Sequence, residues 1–140
     1  MNSELNPYLS FRDSAKPAME FYQSIFGGEL NTSTFAEFDA AEDPADRDKI
    51  MHSALRTPSG MVLMAADVPS SMPLGDNSSF TLSLNGDNES ELNGYWERLI
   101  EGGSITEPLE VAPWGDSFGM CTDRFGVNWM VNISAGGDES

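Results

Sequence analysis

Phe21-Tyr22-Gln23-Ser24-Ile25-Phe26-Gly27-Gly28 and Tyr95-Trp96-Glu97-Arg98-Leu99-Ile100-Glu101-Gly102-Gly103 decide how this chain is read. Each runs from an aromatic pair through apolar residues to Gly-Gly, the second with one residue inserted. Working outward, the first closes a helix that begins near Asp13 or Ser14, either of which can cap it, with Pro17 tolerated in the first turn. Ala18, Tyr22, Ile25 and Phe26 recur at helical spacing, and Gly-Gly ends the run. The second closes a helix that begins at Asn88, with Glu91 three residues on as in a capping box. Leu92, Tyr95, Trp96, Leu99 and Ile100 form its apolar stripe, which Gly94 weakens without breaking.

Strand-like stretches flank both helices. Asn6 to Phe11 precedes the first; Glu29 to Phe38, Ile50 to Thr57 and Met61 to Val68 follow it. Ser79 to Leu84 precedes the second; Ser104 to Val111, Ser117 to Thr122 and Val127 to Ile133 follow. Asp39 to Lys49 is acidic and reads as a solvated loop, Val68 to Asn77 as a linker, and Gly136 to Ser140 as a mobile tail. The order is strand, helix, three strands, then the same again. The aromatic pairs start at 21 and 95, about half the 140-residue chain apart. Two amphipathic helices can share a Gly-Gly stop by coincidence, but recurrence of the five-element order favours a duplicated module. The expectation is one α+β domain over residues 1–140, built from two βαβββ modules (about 5–68 and 78–134) with a linker at 69–77.

Composition narrows the function. Hydrophobic residues make up 39% of the chain and charged residues 21%, enough for a packed core. Seven basic against 23 acidic residues leave a net charge of −16, which repels phosphate backbones and anionic lipid. Nucleic-acid and membrane-surface roles are disfavoured. Cys121 is the lone cysteine, so neither an intrachain disulfide nor a cysteine cage is available. The start of the chain has no basic and apolar secretion-type segment. A cytoplasmic location is expected.

Alternation assigns the faces. Val127, Trp129, Val131 and Ile133 share one side of the last strand, and Asn128, Met130 and Asn132 the other. Phe80, Leu82 and Leu84 oppose Ser79, Thr81 and Ser83. The apolar faces should lie under helices. The polar, uncharged faces suit either a semi-enclosed concavity or ordinary solvent. His52, the only histidine, alternates with Ala54 and Arg56 on one side, against Met51, Ser53 and Leu55 on the other.

The pattern resembles a known family. Asn6-Pro7-Tyr8-Leu9-Ser10-Phe11, Ala18-Met19-Glu20-Phe21-Tyr22 closing on Phe26-Gly27-Gly28-Glu29-Leu30, and Ile50-Met51-His52-Ser53-Ala54-Leu55 carry the resemblance. Its most specific part is the ending from Phe118 to Ile133, through Asp123-Arg124-Phe125-Gly126-Val127-Asn128-Trp129. Together they look like the PhnB-like branch of the vicinal-oxygen-chelate superfamily, which includes glyoxalase I, extradiol dioxygenases and bleomycin-resistance proteins. The resemblance implies curled mixed sheets around a shared cleft, and homodimers, often with modules paired across subunits. In the metal-dependent relatives four ligands, usually His and Glu, hold one divalent ion that polarises substrate oxygens.

Residue by residue, that ligand set does not carry over. Pro7, Met64, Ser79 and Met130 fall at or beside the four positions, and neighbours Tyr8, Leu63, Ala65, Phe80 and Trp129 add no imidazole or carboxylate. Thioether sulfur suits soft metals, and a serine hydroxyl anchors an ion poorly. No metal site and no cofactor are expected. Branch members often carry a methyltransferase label. No glycine-rich loop follows an early strand here, and βαβββ is not the doubly wound sheet that holds a nucleotide methyl donor.

Candidate ligand-binding residues are therefore His52, Arg56, Met64, Ser79, Thr81, Asn128, Met130, Asn132 and Trp114. An imidazole at His52 can donate hydrogen bonds, act as a base or supply one metal ligand; a structural histidine is the commoner case. Arg56 can anchor a carboxylate or phosphate, or pair with one of the many acids. Trp114 reads as a lid or as loop packing, and Cys121 as a buried thiol. The leading expectation is a protein that binds a small molecule in a metal-free cleft. One alternative is a metal-dependent lyase, isomerase or dioxygenase, which needs a divalent metal on His52 and further ligands. Another is drug sequestration of the bleomycin-resistance kind, with Trp114, Phe118 and Tyr8 as stacking surfaces.

Overall fold

A computed structural model describes residues 3, 5–38, 41–75 and 80–135. The elements are β1 (Tyr8–Phe11), α1 (Ala15–Phe26), β2 (Glu29–Thr34), β3 (Ile50–Arg56) and β4 (Val62–Asp67), then β5 (Leu82–Gly86), α2 (Glu89–Leu99), β6 (Ser104–Val111), β7 (Ser117–Thr122) and β8 (Asn128–Ile133). The chain divides into two compact units, 1–75 and 76–140. Each holds one α+β module of one helix and a four-stranded mixed sheet, β1-β4-β3-β2 in the first and β5-β8-β7-β6 in the second. The strand order is the same permutation in both. In each, the outer pair β1–β4 or β5–β8 is parallel and the other pairs are antiparallel. The two sheets are open rather than closed barrels. Among the described residues no helix is long and apolar enough to cross a membrane.

The helices form where the apolar stripes lie. α1 buries Ala15, Ala18, Met19, Tyr22 and Phe26, spaced three and four residues apart. It packs on β2, β3 and β4, over buried Leu55, Leu63 and Ala65. Fully burying Met19 or Tyr22 contributes about 2 kcal/mol each. α2 buries Leu92, Trp96 and Leu99 against β5 and β8, where Leu84, Trp129 and Val131 are buried. Asn88 caps it as the sequence predicts, its side chain accepting from the Glu91 amide at 3.0 Å.

The start of α1 differs from expectation. Ser14 occupies the cap position but makes no side-chain capping bond. Asp67 caps instead, from the end of β4: one oxygen accepts from the Ala15 amide at 2.9 Å, the other from the Ile50 amide at 3.0 Å. Asp13 sits at φ 70°, a left-handed conformation that a short polar residue tolerates.

Strand β2 stops at Thr34, short of the Phe38 expected. Thr34 and Glu37 turn the chain there, each side chain accepting from the other's amide, and a short 3₁₀ turn follows at Ala36–Phe38. The stretch Asp39 to Lys49 is not a purely solvated loop, although residues 39 and 40 lie outside the described residues. Asp46 is only 2% exposed. Lys49 Nζ lies 2.8 Å from Asp46 and 2.7 Å from Asp13, and Ser70 donates to Asp46 from its hydroxyl at 3.1 Å. The Lys49 ammonium holds the Asp46 carboxyl below the usual range, against the upward push of burial.

The expected linker is anchored at its start. The Arg12 guanidinium donates to the carbonyls of Val68, Pro69 and Met72 at 3.3, 2.8 and 2.7 Å. Strand β5 begins at Leu82, so Phe80 and Thr81 precede it. Ser79, the end of the expected linker and the tail from 136 lie outside the described residues. Strand β6 is the outer strand of its sheet; Pro108 interrupts its amides, and its pairing with β7 shifts register twice.

Candidate functional site

In the first module each strand turns alternate residues away from α1. On β3, Ser53 and Leu55 are buried on the α1 side; half-buried His52 and exposed Arg56 lie on the opposite face, where Ala54 between them is also buried. Register joins that face across the sheet. Tyr8 pairs with Met64, Met64 with Ala54, and Ala54 with Asn31; Ser33 faces His52, and Arg56 lies between Val62 and Glu29. Tyr8 and His52 meet across the intervening strand β4. The Tyr8 hydroxyl lies 3.5 Å from His52 Nδ1, with ring centroids 6.0 Å apart and planes tilted by 35°. Tyr8 is 50% exposed, so this pair is open to a ligand.

The open face of the second module is neutral near its centre. Asn128, Met130 and Asn132 lie on it, alternating with buried Trp129, Val131 and Ile133. Met130 lies between Ser83 and Met120, and Asn132 between Asn85 and Phe118. Both asparagines make bonds within the module. Asn128 accepts from the Thr122 hydroxyl at 2.8 Å and donates to the Phe80 carbonyl at 3.5 Å; Asn132 donates to Asp116 at 3.1 Å. Beside them lies a groove of about 370 Å³, lined by Glu107, Glu110, Trp114, Phe118 and Met120 among others. Trp114 is 64% exposed and meets Phe118 edge to face, centroids 6.0 Å apart.

The sequence-predicted residues thus fall on two open faces. His52, Arg56 and Met64 share the first; Asn128, Met130 and Asn132 share the second, with Trp114 at its groove. Thr81 lies just before β5 and is half-buried. Two features were missed. Tyr8, a candidate stacking surface, is also the partner of His52; alternation from buried Leu9 and Phe11 turns it outward. Glu107 and Glu110 sit on β6, a stretch that the sequence reads only as a strand.

The side chains at the superfamily's ion positions do not fit a hard metal. Pro7 immediately precedes β1, Met64 is on β4 and Met130 on β8. A proline ring and two thioethers offer neither carboxylate nor imidazole. Among the described residues no three His, Cys, Asp or Glu side chains group so as to hold an ion. Cys121 is buried on β7, and burial, aided by Asp123, pushes its thiol up to about 11.

Two βαβββ modules with identical strand permutation, and an ending fixed by Asp123, set the comparison. Asp123 accepts from the amides of Phe125 and Val127 and from Trp129 Nε1, at 2.8, 3.1 and 2.9 Å. Residues 3–132 match the family model described as 3-demethylubiquinone-9 3-methyltransferase. The chain belongs to this PhnB-like family. It is 39% identical to protein PA1353 from Pseudomonas aeruginosa, covering 95% of this chain and 98% of that one, with a TM-score of 0.81. It is 31% identical to protein YjdN from Escherichia coli, over 92% of this chain and 94% of that one. Two structures share the fold at lower identity. One is a putative 3-demethylubiquinone-9 3-methyltransferase, PhnB protein, from Bacillus cereus (24% identity, 94% and 100% coverage, TM-score 0.76). The other is a glyoxylase/bleomycin resistance protein/dioxygenase domain from Frankia (17%, 98% and 95%, TM-score 0.67). The fold is that of the glyoxalase/bleomycin-resistance/dioxygenase superfamily. The family's description names a methyl transfer, yet neither sheet is the doubly wound parallel array whose strand ends hold a nucleotide cofactor.

Proposed function

We propose that this PhnB-like protein binds a small molecule on the open faces of its sheets, without a metal held at the superfamily's four ligand positions. The observation that carries the reading is the N-terminal open face. It brings the phenol of Tyr8, the imidazole of His52 and the thioether of Met64 together, with Arg56 farther along β3. Few precisely placed polar groups amid apolar ones are what orient a small ligand. The charge of −16 supports a small molecule over nucleic acid. The buried lone thiol suits a reducing cytoplasm, and the family resemblance implies pairing with a second copy.

Thermal-shift screening of the purified protein against neutral, anionic and cationic metabolites tests this. A ligand at a hundred times its Kd adds about 2.7 kcal/mol, enough to move Tm by several degrees. The expected result is a shift that persists in EDTA. A shift that needs Zn, Ni, Mn or Fe, with stoichiometric metal in the purified protein, would favour the metal-dependent enzyme instead.

The groove at Trp114 favours a second reading, capture of an organic cation in the manner of drug sequestration. Trp114 and Phe118 supply ring faces, and Glu107 and Glu110 supply negative charge. Titration with benzyltrimethylammonium, followed by tryptophan fluorescence, tests it. Binding lost in Trp114→Ala supports this reading; equal binding of the neutral isostere neopentylbenzene removes it.

A further inference from the structure

The N-terminal open face specifies the chemistry of a ligand, on the reading above that this face binds one. We propose that Tyr8 and His52 form a site for a small carboxylate that is switched on by protonation of His52.

The Tyr8 hydroxyl and His52 Nδ1 are 3.5 Å apart. A neutral imidazole has one donor and one acceptor nitrogen, and a phenol keeps its proton at neutral pH. In one tautomer Nδ1–H would donate to the phenol oxygen; in the other, the proposed neutral state, Tyr8 donates to Nδ1 and Nε2 carries the imidazole hydrogen. In this state the pair shows a ligand one N–H and the lone pairs of the phenol oxygen. A carboxylate meets one donor and one repulsive oxygen.

Proton uptake by His52 turns the bond round. Nδ1–H now donates to the Tyr8 oxygen, and the phenol O–H swings free to donate elsewhere. The pair then offers Nε2–H, the phenol O–H and a positive charge, which match the two oxygens of a carboxylate. No bond is made or broken apart from the proton transfer from solvent.

The surroundings leave this role to the ligand. On the same face, His52 is flanked by Ser33 on β2, and Tyr8 by Met64 on β4 and Ser10 along β1. Arg56 lies farther along β3 with Glu29 opposite it. On the other side of the sheet, Asp67 is engaged by the amides of Ala15 and Ile50. Asp46 and Asp13 are engaged by Lys49 at the start of β3. The carboxylates at the start of β3 are thus tied to other groups, and Glu29 lies at its far end, opposite Arg56. At long range the net charge of −16 repels anions, so the neutral pair holds a carboxylate weakly.

Because His52 is the only histidine, its ring can be followed alone by nitrogen-15 NMR. The probe is benzoate, with benzamide as the neutral isostere. At pH 8 the ring is expected as the Nε2–H tautomer. Saturating benzoate should raise the His52 titration midpoint by about one unit, which is a tenfold tighter grip on the protonated form. Benzamide should leave the midpoint alone. Tyr8→Phe, which removes only an exposed hydroxyl, should mix the tautomers and shrink the benzoate effect several-fold. An Nδ1–H tautomer in the wild type, a midpoint that benzoate does not move, or a Tyr8→Phe protein identical to wild type would overturn the carboxylate site. If the thermal screen finds a neutral ligand while benzoate has no effect at any pH, the carboxylate site falls and the ligand-binding face stands. If no ligand of any class stabilises the protein, both fall.

Discussion

Gly28 and Gly103 stand at the same point of the two modules, each one residue before an outer strand and each pressed by backbone. A Cβ at Gly28 would run into the Arg56 carbonyl and Thr57 Cα; one at Gly103 would run into the Thr122 carbonyl and Asp123. Arg56 ends β3 and Thr122 ends β7, the third strands of their modules. The repeated Gly-Gly is thus more than a helix stop. Its first glycine takes the left-handed turn, at φ 74° in Gly27 and 76° in Gly102, and its second lets two strands close up.

Gly28→Ala and Gly103→Ala should each lower stability by about 3 kcal/mol, Gly28 more because it also sits at φ 103°. Gly94 is the control: it is exposed in α2 with nothing near its Cβ position. Gly94→Ala should raise stability by about 0.5–1 kcal/mol. Urea unfolding of the three variants measures the contrast, and equal losses at 28 and 94 would refute the close-approach account.

Asp67 ties the start of α1 to the start of β3 through two buried bonds. Removing its carboxylate leaves the amides of Ala15 and Ile50 without it. Asp67→Ala should cost about 3 kcal/mol, and Asp67→Asn about half, since one oxygen still accepts. Hydrogen exchange at those two amides, faster in the alanine variant than in wild type, is the local readout.

The Lys49 triad makes stability depend on pH at both extremes. Asp13 and then Asp46 raise the Lys49 ammonium above its ordinary range, and Lys49 lowers Asp46. A depressed carboxyl adds stability above its unfolded value and loses it as pH falls through the folded one. A raised ammonium adds stability below its unfolded value and loses it as pH rises through the folded one. Wild type should exceed Lys49→Met in urea midpoint between about pH 4 and 10, with the gap narrowing below and above. A gap that is constant from pH 3 to 11 would exclude the ionic contribution.

Cys121 should be silent to thiol reagents. With its thiol pushed up to about 11 and the residue 1% exposed, Ellman's reagent at pH 8 should react only after unfolding. Reaction within minutes in the folded protein would contradict the burial.

Much of this fold is visible in the chain because its signals are local and periodic. The alternation in β8 buries what it predicts, and of the stripe Leu92, Tyr95, Trp96, Leu99 and Ile100 the first, third and fourth are buried while Tyr95 and Ile100 are half-buried. The outward turn of His52 and Arg56 follows from the same alternation. What escaped was long-range. Asp67 caps a helix that begins 52 residues earlier, and Tyr8 reaches His52 from 44 residues away across another strand. Asp46 looked like one more acid in an acidic loop, and nothing near it in sequence shows that Lys49 and Ser70 close over it. Phe80 and Thr81 alternated like strand residues, but β5 has a partner only from Leu82 onward.

Strand β6 has a consequence for how molecules of this protein treat one another. A foreign strand can zip onto a sheet only along a straight rail of free amide and carbonyl groups. At β6 it meets Pro108, which has no amide hydrogen, a rail kinked at two places, and the like charges of Glu107 and Glu110. That rim is poorly suited to seeding ribbons or fibrils, and it gives the chain a margin against aggregation when crowded.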